Sequence, residues 1–282
     1  MATRLKILKV SKTSLVLLTI SVLVISFLFW KFYTKGEGQK RDFAEIKKSG
    51  VIRIATEYNS VGYFVSGDSI KGFEYELALL LGKRFGIKVE VIPQMNFEES
   101  MKGLNEKSID IVARPITITT QLRNQYRFTQ PILLNKQVLV QRKPDFGKTS
   151  VFIRNQIELA KKTLYVHKNS PVLLRIRNLS NEIGDTIYTK EDEKYGDEQL
   201  IAMVSGGEID YAVCDESIAR QLQSKYPGLD FDTDISFTQL QAWMVRKESK
   251  VLLDSLNVWL KELKKSEEYN TIHKKYFGTG KK

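Results

Sequence analysis

Hydroxyl and cationic side chains follow an apolar run in the first half of the chain. The stretch from Ser108 to Thr129 begins with this run, which ends at Ala113. Two threonines that follow it are Thr117 and Thr119. Such a run fits a buried strand of a parallel sheet, and open α/β sheets bind ligands beyond the carboxyl ends of their strands. The hydroxyls therefore suit hydrogen bonding to a small ligand, although capping of the next helix explains them equally well.

No residue pattern points to catalysis or to a bound cofactor. The chain lacks a Gly-x-Ser-x-Gly turn, a phosphate-binding loop and a His-rich metal motif. Its two histidines, His167 and His273, stand far apart in the sequence. A single cysteine, Cys214, rules out an intrachain disulfide and argues against a zinc site. We interpret Cys214 as a buried small hydrophobic residue and predict no catalytic residue, cofactor or metal.

Alternating strands and helices position the threonines. Predicted strands cover residues 51–56, 88–94, 108–113, 137–143, 163–167, 209–215 and 240–247. Predicted helices cover residues 72–85, 97–107, 157–162, 171–182, 198–205, 217–226 and 251–276. The initial β-α-β-α-β order predicts a parallel sheet with right-handed crossovers. The pattern starts again after residue 143, which predicts a second α/β lobe.

The predicted fold class is α/β, with two lobes that form a hinged clamshell. Lobe 1 comprises residues 47–138 and 241–278, and lobe 2 comprises residues 139–240. Strand-like crossovers near residues 137–143 and 238–245 join them. Clefts between such lobes close around a small ligand.

Basic charge is concentrated at the N-terminus. The net charge is +11, but residues 1–41 hold eight Lys or Arg against one acidic residue, which leaves +4 for the rest of the chain. Because the surplus is confined to this leader, the sequence argues against nucleic acid as a partner.

The N-terminal region predicts an uncleaved transmembrane signal anchor. Residues 13–33 form a largely apolar stretch of about 20 residues, roughly the thickness of a bilayer. Residues 29–33 lack the small side chains of a cleavage site. Residues 1–12 hold four basic side chains and are predicted to be a cytoplasmic tail, and residues 34–46 a linker. This places the chain in the cytoplasmic (inner) membrane as a single-pass protein, with its soluble body in the periplasm.

A series of short motifs resembles a known family. The motifs are GVIRIAT (residues 50–56), KGFEYELA (71–78), SIDIVA (108–113) followed by TIT (117–119), and GEIDYAVCD (207–215). Together they resemble the family 3 periplasmic solute-binding proteins, and among these the solute-binding-like region of the membrane-bound lytic murein transglycosylases F. The resemblance extends from Phe43 to Gly278. It implies a type II periplasmic-binding-protein clamshell that binds a small molecule.

The resemblance also implies a set of ligand-binding residues. Asp215 matches an aspartate that pairs with the ligand's ammonium group, although it could instead cap the helix at 217–226. The other implied positions are the threonine hydroxyls near the ligand carboxylate, a helix N-terminus suited to an anion, and aromatic residues that either wall the pocket or pack structurally. The threonines are Thr117 and Thr119, the helix N-terminus carries Ser170 with Asn169, and the aromatic residues are Tyr58 and Tyr63.

One departure from the family pattern affects the ligand. The pattern Thr-x-Thr-x-x-Arg supplies an arginine that grips the ligand's carboxylate, but Leu122 stands at that position and Arg123 follows it. One residue turns a helical side chain by about 100°, so Arg123 does not simply take over the role. Arg114, beside the strand end, is the second candidate cation. A larger ligand such as a cell-wall peptide is therefore an alternative to a simple amino acid.

These observations predict a non-catalytic, membrane-anchored solute-binding module. Its ligand would be an amino acid, a small peptide or a muropeptide, and its closed form would be recognised by a transporter or a cell-wall enzyme. One alternative is a peptidoglycan lytic transglycosylase or a regulatory subunit of one. We expect the relatives' lysozyme-like domain to be absent, because the sequence ends at Lys282. A further alternative is a scaffold whose cleft has lost its ligand.

Overall fold

The computed structural model describes residues 21–26, 41–144, 151–168, 170, 172–192 and 196–278. It separates residues 1–40 from a compact unit of residues 41–282. In the first unit, residues 21–26 are helical and exposed. Among the described residues, no helix is both long and apolar enough to cross a membrane. The predicted tail and most of the predicted anchor and linker lie outside the described residues, so the anchor stays a prediction.

The second unit alternates helices and strands. Its helices are α1 (Phe43–Ser49), α2 (Phe73–Phe85), α3 (Phe97–Asn105), α4 (Thr120–Gln125), a 3-10 turn (Gln156–Leu159), α5 (Val172–Ile183), α6 (Asp197–Gly206), α7 (Glu216–Leu222), α8 (Lys250–Leu263) and α9 (Glu267–Phe277). Its strands are β1 (Val51–Thr56), β2 (Phe64–Ser66), β3 (Ser69–Lys71), β4 (Lys88–Pro93), β5 (Ile111–Thr117), β6 (Tyr126–Phe128), β7 (Leu133–Asn135), β8 (Gln137–Arg142), β9 (Thr163–His167), β10 (Tyr188–Asp192), β11 (Ala212–Asp215), β12 (Leu229–Asp234) and β13 (Gln239–Arg246).

Two mixed sheets form the framework. The first has the order β4-β1-β5-β13-β6, with β7 also paired to β13. The second has the order β10-β9-β11-β8-β12. In the first sheet β1 is parallel to β4 and β5, and in the second β9 is parallel to β10 and β11. Each sheet thus has a parallel group, as the βαβ pattern predicts, extended by antiparallel strands.

The chain passes between the sheets twice. Strand β8 of the second sheet follows β7 of the first sheet, and β13 of the first sheet follows β12 of the second. Both passages lie close to the crossovers expected at residues 137–143 and 238–245. Strands β8 and β13 pair antiparallel with their neighbours, because each enters its sheet from the opposite end.

Several elements differ from the sequence-based expectation. Helix α1 extends into the predicted linker at residues 34–46, because Asp42 and Glu45 form a capping box and Ile46 is fully buried. The single helical region expected at 251–276 is two helices, since Ser266 caps the second one by accepting the N–H of Tyr269. Further short strands, β2, β3, β6, β7, β10 and β12, complete the sheets and a hairpin.

A buried arginine fixes β13 to the first sheet. The Arg246 guanidinium, at the end of β13, donates to the carbonyls of Leu104 and Ile109 and to Asp110 Oδ1. Asp110 also accepts two hydrogen bonds from Arg41, at 2.7 and 2.8 Å. The loop before β5, the end of β13 and the start of the compact unit are therefore held together at one end of the sheet.

A second arginine repeats this arrangement in the other sheet. Arg142, at the end of β8, donates to the carbonyls of Val204 and Ile209 at 2.7 and 2.8 Å and to Asp210 Oδ1 at 2.5 Å. The contacted Ile-Asp pair precedes β11 just as Ile109 and Asp110 precede β5. The two lobes are thus built on the same local unit, a repeat that the sequence analysis missed.

Candidate functional site

A pocket lies between the two sheets, where several parallel strands end. It encloses about 50 Å³, which is room for about three to five water-sized groups. Its lining from the first sheet and the segments next to it is Glu57, Phe97, Arg114, Pro115, Ile116, Thr117 and Gln241. Its lining from the other lobe is Gln137, His167, Ser170, Val172, Asp197, Val213, Cys214 and Asp215. The carboxyl ends of β1, β5, β9 and β11 meet here, as is typical of ligand sites in α/β folds.

Arg114 is the cation of this pocket. Strand β5 buries it to 9% exposure, its Nη2 lies 2.8 Å from Glu57 Oε1, and its guanidinium lies 5.4 Å from the centre of the Phe97 ring. Its Nη1 is buried and has no hydrogen-bond partner in the described part of the chain. Because an unpaired buried donor is costly, this nitrogen favours a further acceptor close to Arg114.

Asp215 closes β11 and faces the same pocket. It occupies the N-cap position of α7, but its side chain makes no capping hydrogen bond. Its Oδ1 accepts a hydrogen bond from Gln137 Nε2 at 3.0 Å instead. Gln137 is the residue of β8 directly paired with Asp215 in the sheet. The carboxylate is therefore oriented by a neighbouring strand and is directed away from the helix.

Asp197 is a pocket residue that the sequence analysis missed. It begins α6 after Gly196, and its Oδ2 accepts the backbone N–H of Asp215 at 3.1 Å. An acidic residue in the first turn of a helix is explained by the helix dipole alone, so no local signal marked Asp197. Only the fold brings it to the end of β11.

The carboxyl groups of Asp197 and Asp215 are perturbed together. The pKa of each is raised to about 7, chiefly by desolvation and then by the Coulombic effect of Glu57 on Asp197 and of Asp197 on Asp215. Desolvation also raises the pKa of the buried Cys214 thiol, so this cysteine stays protonated. Near neutral pH the two aspartates hold a proton that ordinary aspartates would have lost.

A third acid lies behind the pocket. Glu74, in α2, is 1% exposed, and its Oε2 has no hydrogen-bond partner among the described residues. Burial raises the pKa of Glu74 to about 8, with a smaller contribution from Glu57. Glu74 is therefore neutral at physiological pH and adds little charge to the site.

The two predicted threonines have different roles. The Thr117 hydroxyl lines the pocket, donates to Gln239 Oε1 at 2.9 Å and accepts from Gln241 Nε2 at 3.0 Å. The Thr119 hydroxyl caps α4 by accepting the N–H of Leu122 at 3.2 Å. Thr117 and Thr119 also line a neighbouring pocket of about 120 Å³, which Arg175 and Asn178 bound on the other side.

The remaining predicted site residues are distributed unevenly. Ser170 lines the pocket and its Oγ accepts the N–H of Val172 at 3.4 Å, at the start of α5. Asn169 lies outside the described residues. Arg123 is exposed in the last turn of α4, away from the pocket lining, and Leu122 packs against an apolar cluster.

The two tyrosines belong to an aromatic cluster beside the pocket. Tyr58 is 46% exposed, with its ring centre 6.1 Å from that of Tyr63. Tyr63 is buried and packs edge-on against Tyr75 at 5.6 Å. Neither ring belongs to the described lining of the pocket, so their contacts here are those of structural packing.

One direct hydrogen bond joins the loop after β1 to the other lobe. The backbone N–H of Ser60 donates to Glu198 Oε1 at 2.5 Å. Glu198 follows Asp197 in the first turn of α6, so this contact lies at the edge of the pocket. It is formed only while the two lobes are close together.

Comparisons with known proteins agree with this architecture. The sequence profile of the bacterial extracellular solute-binding proteins, family 3, matches residues 51–279. A membrane-bound lytic murein transglycosylase F from Photobacterium profundum is 27% identical over 238 residues, which cover 84% of this chain and 46% of the relative. The chain thus spans about half the length of the curated relatives it matches.

Solved structures show the same fold. A mutant of ArgBP from T. maritima superposes with a TM-score of 0.70 at 25% identity, covering 83% of this chain and 98% of that one. An ancestral arginine-binding protein bound to arginine gives a TM-score of 0.70 at 26% identity, covering 81% and 99%.

Proposed function

Because the chain belongs to the bacterial extracellular solute-binding proteins of family 3, we propose that its lobes close on an amino-acid-sized ligand. The observation that carries this proposal is the pocket between the sheets, whose two sides offer opposite charges. Arg114 lines it from the first sheet and has a buried Nη1 without a partner among the described residues, and Asp215 lines it from the second sheet with a carboxylate held by Gln137. An α-amino acid has the matching carboxylate and ammonium groups.

Arg114 replaces the arginine that the family pattern places elsewhere. Leu122 stands at the expected position and packs into an apolar cluster, which leaves no cation there. Arg114 lies on β5 and is ordered by Glu57 and Phe97 before any ligand arrives. Preorganisation of this kind lowers the entropic cost of binding. The missing arginine therefore does not argue against an amino acid.

The size of the pocket favours a small ligand over a muropeptide. A volume of about 50 Å³ is far below the about 300–1,000 Å³ of sites for drug-sized ligands, which favours a ligand of amino-acid size. The neighbouring pocket of about 120 Å³ shares Thr117 and Gln137 with it and offers room for a second residue of a small peptide. An amino acid or a small peptide fits this arrangement.

The proposed cellular role is that of a tethered receptor. The apolar stretch at residues 13–33 supports an anchor in the cytoplasmic membrane, with the soluble body outside. The solved structures with bound arginine or lysine support an amino acid as ligand. A transporter or a cell-wall enzyme would read the closed form.

A thermal-shift screen of the soluble body with the common amino acids tests the proposal. A ligand at 100 times its Kd stabilises the folded state by about 2.7 kcal/mol, which raises the Tm by roughly 5–11 °C for a domain of this size. The matched control is Asp215→Asn, which should abolish the shift while leaving the protein folded. If no amino acid or dipeptide raises the Tm, the proposal is wrong.

The relatives support a second candidate function, in peptidoglycan turnover. Several curated relatives are membrane-bound lytic murein transglycosylases F, and this chain matches somewhat less than half of the first of them. We propose, as the alternative, that the chain acts as a transglycosylase or as its regulatory subunit. Release of anhydro-muropeptides from purified murein sacculi by the protein alone would favour the enzyme, and release only with an added transglycosylase would favour the regulator.

A further inference from the structure

The pocket carries more negative charge than one amino acid can neutralise. Its lining supplies three carboxyl groups, those of Glu57, Asp197 and Asp215, and one guanidinium, that of Arg114. Arg114 already pairs with Glu57 at 2.8 Å. A neutral amino acid brings only one ammonium group for the two aspartates, so one of them avoids an uncompensated charge only by keeping a proton. An uncompensated buried charge is strongly unfavourable.

The position of Asp197 indicates that this extra carboxyl group faces the ligand. It is not the N-cap of α6, which is Gly196, and it reaches the end of β11 by accepting the Asp215 N–H at 3.1 Å. The charge of Asp197 disfavours ionisation of Asp215. A proton shared by the pair relieves this repulsion while the pocket is empty, and a second ligand cation placed beside Asp197 would relieve it in the complex.

We propose that the pocket is selective for ligands with two cationic groups and one carboxylate, that is, basic amino acids, and that Asp197 determines this preference. Asp215 binds the α-ammonium group, Arg114 Nη1 binds the carboxylate, and Asp197 binds the side-chain cation. Binding of the second cation displaces the proton held by the two aspartates. This inference rests on the proposed function and names its ligand class.

The other groups around the aspartates do not supply the missing cation. Glu57, after β1, and Glu74, in α2, are themselves acidic, and Glu198 is engaged with Ser60 at 2.5 Å. His167, at the end of β9, is the remaining titratable group in the described lining, and its Nδ1 lies 2.9 Å from the Lys168 carbonyl oxygen. Because a carbonyl oxygen only accepts hydrogen bonds, the Nδ1 carries a proton that it donates to this carbonyl and not to the aspartates.

The test uses pairs of ligands that match in size and differ in charge. Isothermal titration of the soluble body compares L-arginine with L-citrulline and L-lysine with L-norleucine at pH 7. We expect the charged member of each pair to bind at least about tenfold more tightly, because a hydrogen bond between two charged groups is stronger than one to a neutral partner. Titration in two buffers of different ionisation enthalpy should show proton release with arginine and less with citrulline.

Variants assign the preference to one residue. Asp197→Asn keeps an oxygen that can accept the Asp215 N–H, so it should reduce arginine affinity at least about tenfold and leave citrulline affinity nearly unchanged. Glu208→Gln, an exposed residue of the same lobe, removes the same charge outside the pocket and should change neither affinity. Circular dichroism checks that each variant is folded, and if Asp197→Asn does not fold, the wild-type ligand pairs and proton release still decide.

The possible outcomes separate the two proposals. If citrulline and norleucine bind as tightly as arginine and lysine, the selectivity for basic amino acids is wrong and the proposed function stands. The assignment to Asp197 is wrong if Asp197→Asn weakens both members of a pair equally. If none of the four ligands and no other amino acid binds, the proposed function fails, and the selectivity fails with it.

Discussion

Replacing Asp215 with Asn should make the empty protein more stable while it weakens ligand binding. The folded state raises the pKa of Asp215 from 3.8 to about 7, chiefly by desolvation and then by the charge of Asp197. Asparagine has nearly the same shape, carries no charge and can still accept the hydrogen bond from Gln137 Nε2. The site therefore contains a group that costs stability when it ionises.

The sign and size of this effect follow from linkage. An acid whose pKa is raised in the folded state binds its proton more tightly there than in the unfolded state. The free energy of unfolding therefore falls as the pH rises from about 4 to about 7. Above that range Asp215 causes no further loss. At 1.36 kcal/mol per pKa unit, a rise from 3.8 to about 7 costs about 4 kcal/mol at pH 8. Because Asp197 and Asp215 share one proton and border a wet pocket, we expect roughly 1–2 kcal/mol for a single replacement.

Urea unfolding of the soluble body at pH 5, 7 and 8 measures this effect. Asp215→Asn should exceed the wild type by roughly 1–2 kcal/mol at pH 8 and by little at pH 5, where the wild-type pair is protonated. Glu74, with its pKa raised to about 8, adds a loss of the same sign to both proteins, so their difference isolates Asp215. Glu208→Gln should follow the wild type at every pH. A variant no more stable than the wild type at pH 8, or with the same pH slope, refutes the reasoning.

Three other substitutions give separate readouts. Arg114→Met should weaken arginine binding at least about tenfold but should change the binding of arginine amide, which lacks the carboxylate, much less. Equal losses for both ligands in titration calorimetry would exclude a contact between Arg114 and the carboxylate. Glu198→Gln weakens the hydrogen bond to the Ser60 N–H. Stopped-flow fluorescence should therefore show that every ligand dissociates about three- to tenfold faster. An unchanged dissociation rate contradicts a role of Glu198 in closure of the lobes. Arg246→Met leaves two buried carbonyls without this donor, while Asp110 keeps its pair with Arg41. Chemical denaturation should therefore show a loss of about 1–3 kcal/mol, and an unchanged stability would contradict this role of Arg246.

The framework of the fold could be predicted because its central strands are short and largely apolar. Strands β1, β5 and β9 are short apolar runs between turn signals, and the helices between them have apolar faces and clear ends. The short strands were missed for the opposite reason. Strand β12, with the sequence LDFDTD, carries three aspartates in six residues, and it is a strand only because β8 pairs with it. Tertiary pairing outweighs local preference there.

The site could be predicted mainly where it lies at strand ends. Asp215, Thr117 and Arg114 follow or end predicted strands, and all three line the pocket. Asp197 begins a helix, where an acid needs no further explanation, and its place beside Asp215 depends on how α6 packs on β11. Arg123 is the converse case, because it adjoins a family position in the sequence but lies in an exposed helical turn.

The repeated unit of the two lobes explains how the pocket obtains its polarity. In the second sheet, Gln137 at the start of β8 pairs directly with Asp215 and donates to it. In the first sheet, Gln241 of β13 pairs directly with Thr117 and donates to its hydroxyl. Each glutamine lies five residues before the arginine that fixes its strand, as the sequences QVLVQR and QAWMVR show.

The same unit therefore presents a neutral hydroxyl on one lobe and a carboxylate on the other. Because each arginine anchors its strand at the base of a sheet, both glutamines are held rigidly at the opposite end, where the pocket lies. Asp197 adds a further acid to the second lobe, and Arg114 adds a cation to the first. In the proposed complex, the ligand binds with its carboxylate toward the first lobe and its cations toward the second. Closure brings both ends into contact at once, so a ligand that lacks either charge can stabilise only one lobe.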